Sequence, residues 1–134
     1  MPTLLEIVSP DRLLLSQPVD MAVIPAAEGE MGVLPGHSPM IVLLQGGTIT
    51  LHEGGRPTSQ LFVSGGFAEI TPDRCTVLAD EAIPVAEVSR AQAETRLQAA
   101  LAEQTAAGTD TVAYDAAAGR VQAARAMLAA AGTA

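Results

Sequence analysis

The chain has 134 residues, enough for one compact domain with a small appendage, and its 15 acidic and 7 basic side chains give a net charge of −8. All seven cations are arginine, which excludes chemistry that needs a lysine amine: a Walker-type phosphate loop, Schiff-base catalysis, and lipoyl or biotinyl carriage. The acidity argues equally against nucleic acid and against an anionic membrane surface, both of which attract Lys and Arg.

Apolar residues make up 49% of the chain and aromatics only 2%, so the core must be built from Leu, Val, Ile and Ala, with Met filling gaps. Cys75 is the single cysteine. No intramolecular disulfide can form, the cytosol is the default compartment, and Cys75 reads as a small core residue. No apolar stretch approaches the roughly 20 residues needed to span a bilayer, so membrane association is expected to go through another protein. The charge is uneven: residues 1–84 hold 3 Arg against 10 Asp and Glu, whereas residues 85–134 hold 4 against 5. A basic protein partner fits the acidic first segment, although acidity also serves solubility alone.

Residues 1–84 are punctuated by Gly, Pro and Asp, with short Leu-rich and β-branched runs between them, the pattern of an antiparallel β-sandwich. The expected strands are Thr3 to Val8, Val19 to Ile24, Met40 to Leu44, Thr48 to His52, Gln60 to Val63, Phe67 to Ile70 and Cys75 to Leu78. Gly54-Gly55 supplies positive φ for one hairpin, and Thr71-Pro72-Asp73-Arg74 sets another turn. Ile49 and Leu51 alternate with Thr48, Thr50 and His52, which sends one face to the core. Gly65-Gly66 reads as a strand-linking bend beside a buried Phe67; it lacks the following helix N-terminus that a phosphate cradle needs. His37 and His52, with no cysteine cluster, read as solvated or loop-bonding and not as zinc ligands.

After Pro84 the texture changes to Ala, Gln, Glu and Arg in two stretches, about 88–106 and 112–131, separated by Gly108-Thr109-Asp110. The expectation is a two-helix antiparallel hairpin over residues 85–134, giving an α+β chain. Ser89 with Gln92 suits a capping box, and Asp110 or Thr111 can cap the second helix. Leu97 and Leu101 share one face, as do Ala117, Val121, Ala124 and Leu128. Those faces are thin, because each large apolar side chain contributes only about 1.5–3 kcal/mol when fully buried. Gly119 costs on the order of 1 kcal/mol more. The hairpin is therefore expected to detach or rearrange while the sandwich stays folded.

The run Glu28-Gly29-Glu30-Met31-Gly32-Val33-Leu34-Pro35-Gly36-His37-Ser38-Pro39 resembles a loop of bacterial F-type ATP synthase epsilon subunits, the homologues of the mitochondrial delta subunit. Val63-Ser64-Gly65-Gly66-Phe67-Ala68-Glu69-Ile70, followed by Val77-Leu78-Ala79-Asp80, is a second match, and the order and spacing agree over nearly the whole chain. Read on its own, the first run is a stiff turn-rich loop between strands. The resemblance implies a non-catalytic rotor component of the central stalk, held at the cytoplasmic face of the bacterial inner membrane through the complex. Its implied partners are the gamma subunit, the c-ring through Glu30, Met31, Gly32, His37 and Ser38, and the alpha and beta subunits through the C-terminal helices. It also implies that the hairpin, when extended, inhibits ATP hydrolysis.

No cofactor is required by this reading, but some bacterial members of the family bind ATP as a regulatory ligand. They use a motif at the start of the first helix: an aliphatic residue, Asp, two variable positions, then Arg-Ala. Here the matching stretch is Ala86-Glu87-Val88-Ser89-Arg90-Ala91. Glu87 and Arg90 keep the charge types and Glu81 matches an upstream acidic residue, while Ala86 and Glu87 depart from the pattern. The family's second-helix arginines lie four apart, and Arg120 and Arg125 lie five apart. Without the family, Glu87, Arg90 and Glu94 read as a solvated ion-pair ladder. A free ATP sensor and a generic adaptor are the rival readings; an enzyme reading has no assembled constellation behind it.

Overall fold

The computed structural model describes residues 2–132. Strands β1 (Thr3–Val8), β2 (Leu13–Val19), β3 (Met21–Ala26), β4 (Gly29–Val33) and β5 (Met40–Leu44) are followed by β6 (Gly47–Glu53) and β7 (Arg56–Val63). Then come β8 (Gly66–Thr71), β9 (Arg74–Ala79) and the short β10 (Ala82–Pro84). A 3-10 turn, Val85–Glu87, leads into helix α1 (Arg90–Ala107), and helix α2 (Thr111–Ala131) folds back along it. The α+β class, with a β-sandwich ahead of a helical hairpin, is the one read from the sequence.

The strands form two halves, β10-β7-β6-β3-β4 and β5-β8-β9-β1-β2, joined by one bridge, Ala26 to Leu44. Their inner faces share one core, which takes Leu5 and Ile7 from β1, Ile24 from β3, Ile49 and Leu51 from β6, and Val77 from β9. The alternation in β6 is the reason: Ile49 and Leu51 are fully buried, and the residues between them lie at the other face. All pairings are antiparallel except that of β1 with β9, which is parallel from Leu4–Arg74 to Val8–Leu78.

Two expected turns take the forms their residues dictate. Gly54 and Gly55 both have positive φ, +61° and +78°, and carry the β6–β7 hairpin. Thr71 to Arg74 closes β8 onto β9, with the Thr71 hydroxyl donating to Asp73 Oδ1 at 3.0 Å. The stretch expected as one strand from Val19 to Ile24 is broken at Asp20, where β2 ends and β3 begins. Most of β2, all of β4 and all of β10 were outside the expected strands. Pro18 fits β2 because that strand forms an edge of the sheet.

Phe67 corrects the expectation of burial: it is 43% exposed, because strand parity sends Ala68 and Ile70 inward and Phe67 outward. Phe62 does the reverse job. Leu61, Phe62 and Val63 are all buried although they are consecutive, since Leu61 and Val63 face the sandwich core and Phe62 faces the hairpin. Around Phe62 gather Val85, Ala93, Met127 and Ala130.

Both helix starts are capped as their residues suggest: Ser89 Oγ accepts from the Gln92 N–H at 3.1 Å, and Asp110 Oδ1 accepts from the Ala113 N–H at 3.1 Å. The buried faces are not composed as expected. In α1 the fully buried residues are Ala93 and Ala100, with Leu97 and Leu101 only half-buried; in α2, Met127 takes the place expected for Leu128. The close approach of the two helices selects alanine at the contact and leaves the leucines at its rim.

Candidate functional site

Three surfaces carry the functional features, and each is set by a particular piece of the fold. The first is the outer face of the half-sheet β5-β8-β9-β1-β2. Register places Leu43 opposite Phe67, Phe67 opposite Leu78, Leu78 opposite Val8, and Val8 opposite Leu13, so one apolar row crosses five strands. Leu43 is 69% exposed and Leu13 56%. Ile41 extends the row along β5. The next row is polar across Glu69, Thr76 and Glu6, with Thr76 donating to Glu6 at 3.3 Å, and Arg74 from the row beyond lies 3.5 Å from Glu6. An apolar band of this length on an acidic protein marks a contact surface.

The second surface lies at the open side of β4. Glu30, Met31 and Gly32, expected in a loop, form part of β4 instead, and only His37 and Ser38 of the five expected ring-contact residues lie in the following loop. Between β4 and β5 runs a groove of about 570 Å³ whose lining includes Glu28, Glu30, Met31, Met40 and Ile41. The loop beyond it is braced: the Gly36 N–H donates to the Pro72 carbonyl at 2.6 Å, and His37 Nδ1 is 2.7 Å from the Ser38 carbonyl oxygen. His37 is thus loop-bonding, and its ring lies beside exposed backbone.

The third is a cleft of about 910 Å³ between the hairpin and the sandwich, with Gly65, Asp80, Glu81, Arg96, Glu103 and Arg120 in its walls. Arg96 forks onto Glu81 with hydrogen bonds of 2.6 and 2.9 Å, which holds the Glu81 carboxyl below its ordinary range against the opposing effect of burial. Arg120 donates to Glu103 through Nε at 2.8 Å and also through its Nη2, tying α2 to α1. Both arginines in the cleft therefore already face carboxylates.

Of the three residues implied for a nucleotide, only Glu81 lines this cleft. Glu87 is exposed in the 3-10 turn, and Arg90 opens α1 three residues later outside the cleft lining, its guanidinium 3.4 Å from where a β-carbon on Gly132 would stand. Glu87, Arg90 and Glu94 are all exposed, and among the described residues no ion pair joins them. Arg96, which pairs with Glu81, was not singled out from the sequence; its spacing six residues after Arg90 gives no signal of a partner on another element.

The family described as the ATP synthase, Delta/Epsilon chain, beta-sandwich domain matches residues 3–85. The ATP synthase epsilon chain of Granulibacter bethesdensis is 65% identical over 130 residues, 96% of each chain. That of Rhodospirillum rubrum is 50% identical over 95 residues, 71% of each. Among solved structures, a chain of the Euglena gracilis mitochondrial ATP synthase with its c-ring, in rotational state 1, superposes with a TM-score of 0.77 at 26% identity. That superposition covers 96% of this chain and 81% of the other. A chain of the Tetrahymena thermophila mitochondrial ATP synthase central stalk and c-ring shares the fold, with a TM-score of 0.68 at 13% identity, over 98% and 97% of the two chains.

Proposed function

The chain belongs to the epsilon family of ATP synthase subunits, whose members are non-catalytic parts of that enzyme, and we propose that it works as a rotor element coupling the c-ring to the central stalk. The observation that carries this reading is the apolar row Leu43–Phe67–Leu78–Val8–Leu13 on the outer sheet face, assigned here to the gamma subunit. Exposed aromatics flanked by aliphatics are the usual anchors of a stable protein contact. A sandwich stiffened by two-sided burial suits a part that transmits torque without slip.

The groove beside β4, lined by Glu30 and Met31, together with Gly32 and the following loop with His37 and Ser38, is assigned to the polar loops of the c-ring. Its two carboxylates and braced loop support that assignment. The subunit then sits peripherally at the cytoplasmic face of a bacterial inner membrane, held through the complex; no helix among the described residues is long and apolar enough to cross a membrane. The hairpin is assigned a second role, inhibition of ATP hydrolysis when it extends toward the alpha and beta subunits. ATP as a regulatory ligand would enter the cleft at Glu81, displacing Arg96 or Arg120 from its carboxylate; heat on titration with millimolar ATP checks this.

The test of the stalk assignment is co-purification of the full chain with the gamma subunit. Wild type is expected in a one-to-one complex, and Phe67→Asp to weaken it at least about a hundredfold, a loss within the range of interface anchors. Wild-type affinity in both Phe67→Asp and Leu43→Asp would overturn it.

A further inference from the structure

The hairpin meets the sandwich through few large side chains. Beyond the cluster around Phe62 and Met127, its inward positions include Ala117, Val121 and Ala124. Apolar burial of this kind is non-directional and has little preference between neighbouring registers of α2. One polar side chain supplies the preference that alanine lacks. Gln122 Oε1 accepts from the Gly46 N–H at 2.8 Å, and Gln122 Nε2 donates to the Gly46 carbonyl at 2.7 Å, so both backbone groups of a single buried residue are read by one amide.

The seat for that amide is fixed. Gln45 donates through its backbone N–H to the Pro25 carbonyl at 3.0 Å and through Nε2 to the Ala26 carbonyl at 3.1 Å, which ties the β5–β6 connection to β3. A β-carbon on Gly46 would stand 2.6 Å from the Ala123 Cα, so only glycine lets α2 come this close. Gln122 is the one amide side chain in α2. Sliding the helix by one turn, about 5.4 Å, would bring Ala118 or Ala126 to Gly46, and neither can donate or accept.

We infer that Gln122 is a clasp that gives the docked hairpin a single register, and that loss of this one amide shifts the hairpin toward release. When the amide is absent, the buried Gly46 N–H and C=O lose their partner on α2 and are left to water from the adjoining cleft, which favours the released state, where solvation is complete. The Glu81–Arg96 fork reinforces the docked state from α1, but it is about one-third exposed and contributes little, and it leaves α2 unread. The inference rests on the reading of the hairpin as a movable element and not on the assignment of gamma as partner.

Amide hydrogen exchange on the full chain tests it without any other subunit. Gln122→Leu and Gln122→Ala are expected to speed exchange of mid-helix amides in α1 and α2 together by at least about tenfold, with amides of β1, β6 and β9 within twofold of wild type. Gln98→Leu, an exposed position on α1, serves as the control and is expected to leave both sets unchanged. Hairpin amides that exchange as in wild type in both Gln122 variants would overturn the clasp. So would parallel acceleration of hairpin and sandwich, which would make them one cooperative unit. A failed gamma co-purification beside an accelerated hairpin would leave the clasp standing and sink the stalk assignment alone.

Discussion

Arg96 grips both oxygens of Glu81, at 2.6 and 2.9 Å, and so pins the middle of α1 to the segment between β9 and β10. The pair is about one-third exposed on each side, 37% and 35%, so its net contribution is that of a well-aligned surface pair, about 1 kcal/mol or less.

The fork makes hairpin docking sensitive to acid. The Glu81 carboxyl is held below its ordinary value of 4.5, chiefly by the hydrogen bonds from Arg96, so the docked state binds this proton less readily than the released state does. The contribution is therefore fully present at neutral pH and is lost as the pH falls through 4.5 and on through the lowered value. Glu81→Gln should weaken docking at pH 7 by roughly 0.5–1 kcal/mol and should match wild type near the acid end of the titration. Amide exchange of the hairpin across this pH range, corrected for intrinsic rates, checks the prediction. A constant difference between the two proteins at all pH values would contradict it.

Two glycines should respond to alanine with opposite signs. At Gly66, with φ of +127°, a β-carbon would come 2.1 Å from the Leu78 carbonyl oxygen, so β8 and β9 would have to part. Gly66→Ala is expected to destabilise the sandwich by about 2–3 kcal/mol. At Gly119, inside α2, a β-carbon would meet nothing within 4 Å. Gly119→Ala is expected to stabilise the helix by about 1 kcal/mol. Urea unfolding gives the sign at Gly66, and amide exchange of α2 gives the sign at Gly119.

Cys75 should be chemically silent in the folded chain. It is fully buried on β9, and burial pushes its thiol up to about 11, far above the range where thiolate forms near neutrality. Alkylation at pH 8 is expected to run at least about a hundredfold slower than in urea-unfolded protein, because the reagent reaches sulfur only through opening. Comparable rates in the two states would place the residue outside the core.

Much of this architecture was legible because alternation and capping are local. Ile49 and Leu51, the glycines at 54 and 55, and the caps at Ser89 and Asp110 each announce their role within a few residues. What was hidden depends on partners. Strand β4 contains two glycines, Gly29 and Gly32, and reads as a loop until β3 pairs with it. β10 is three residues long and exists because β7 offers an edge. Phe67 looked like core because it is aromatic, yet only the register with Leu43 and Leu78 decides which way it points. The site was less legible still: Gln122 resembles a solvated residue in an alanine-rich helix, and its partner Gly46 lies 76 positions away. Likewise Leu97, Leu101 and Leu128 rank above alanine in hydropathy, but the spacing between helices favours the smaller side chain.

The parallel pairing of β1 with β9 also sets a timetable. Glu6 on β1 and Thr76 on β9 are 70 positions apart, so at about 5–20 residues per second β1 waits on the ribosome for roughly 4–14 s before its neighbour exists. During that interval the nascent strand can pair only with β2, and one of its edges stays open to other chains. The final closure of the sandwich is thus a late, non-local event, and folding in the cell should be limited by emergence of β9 more than by any step within the helices.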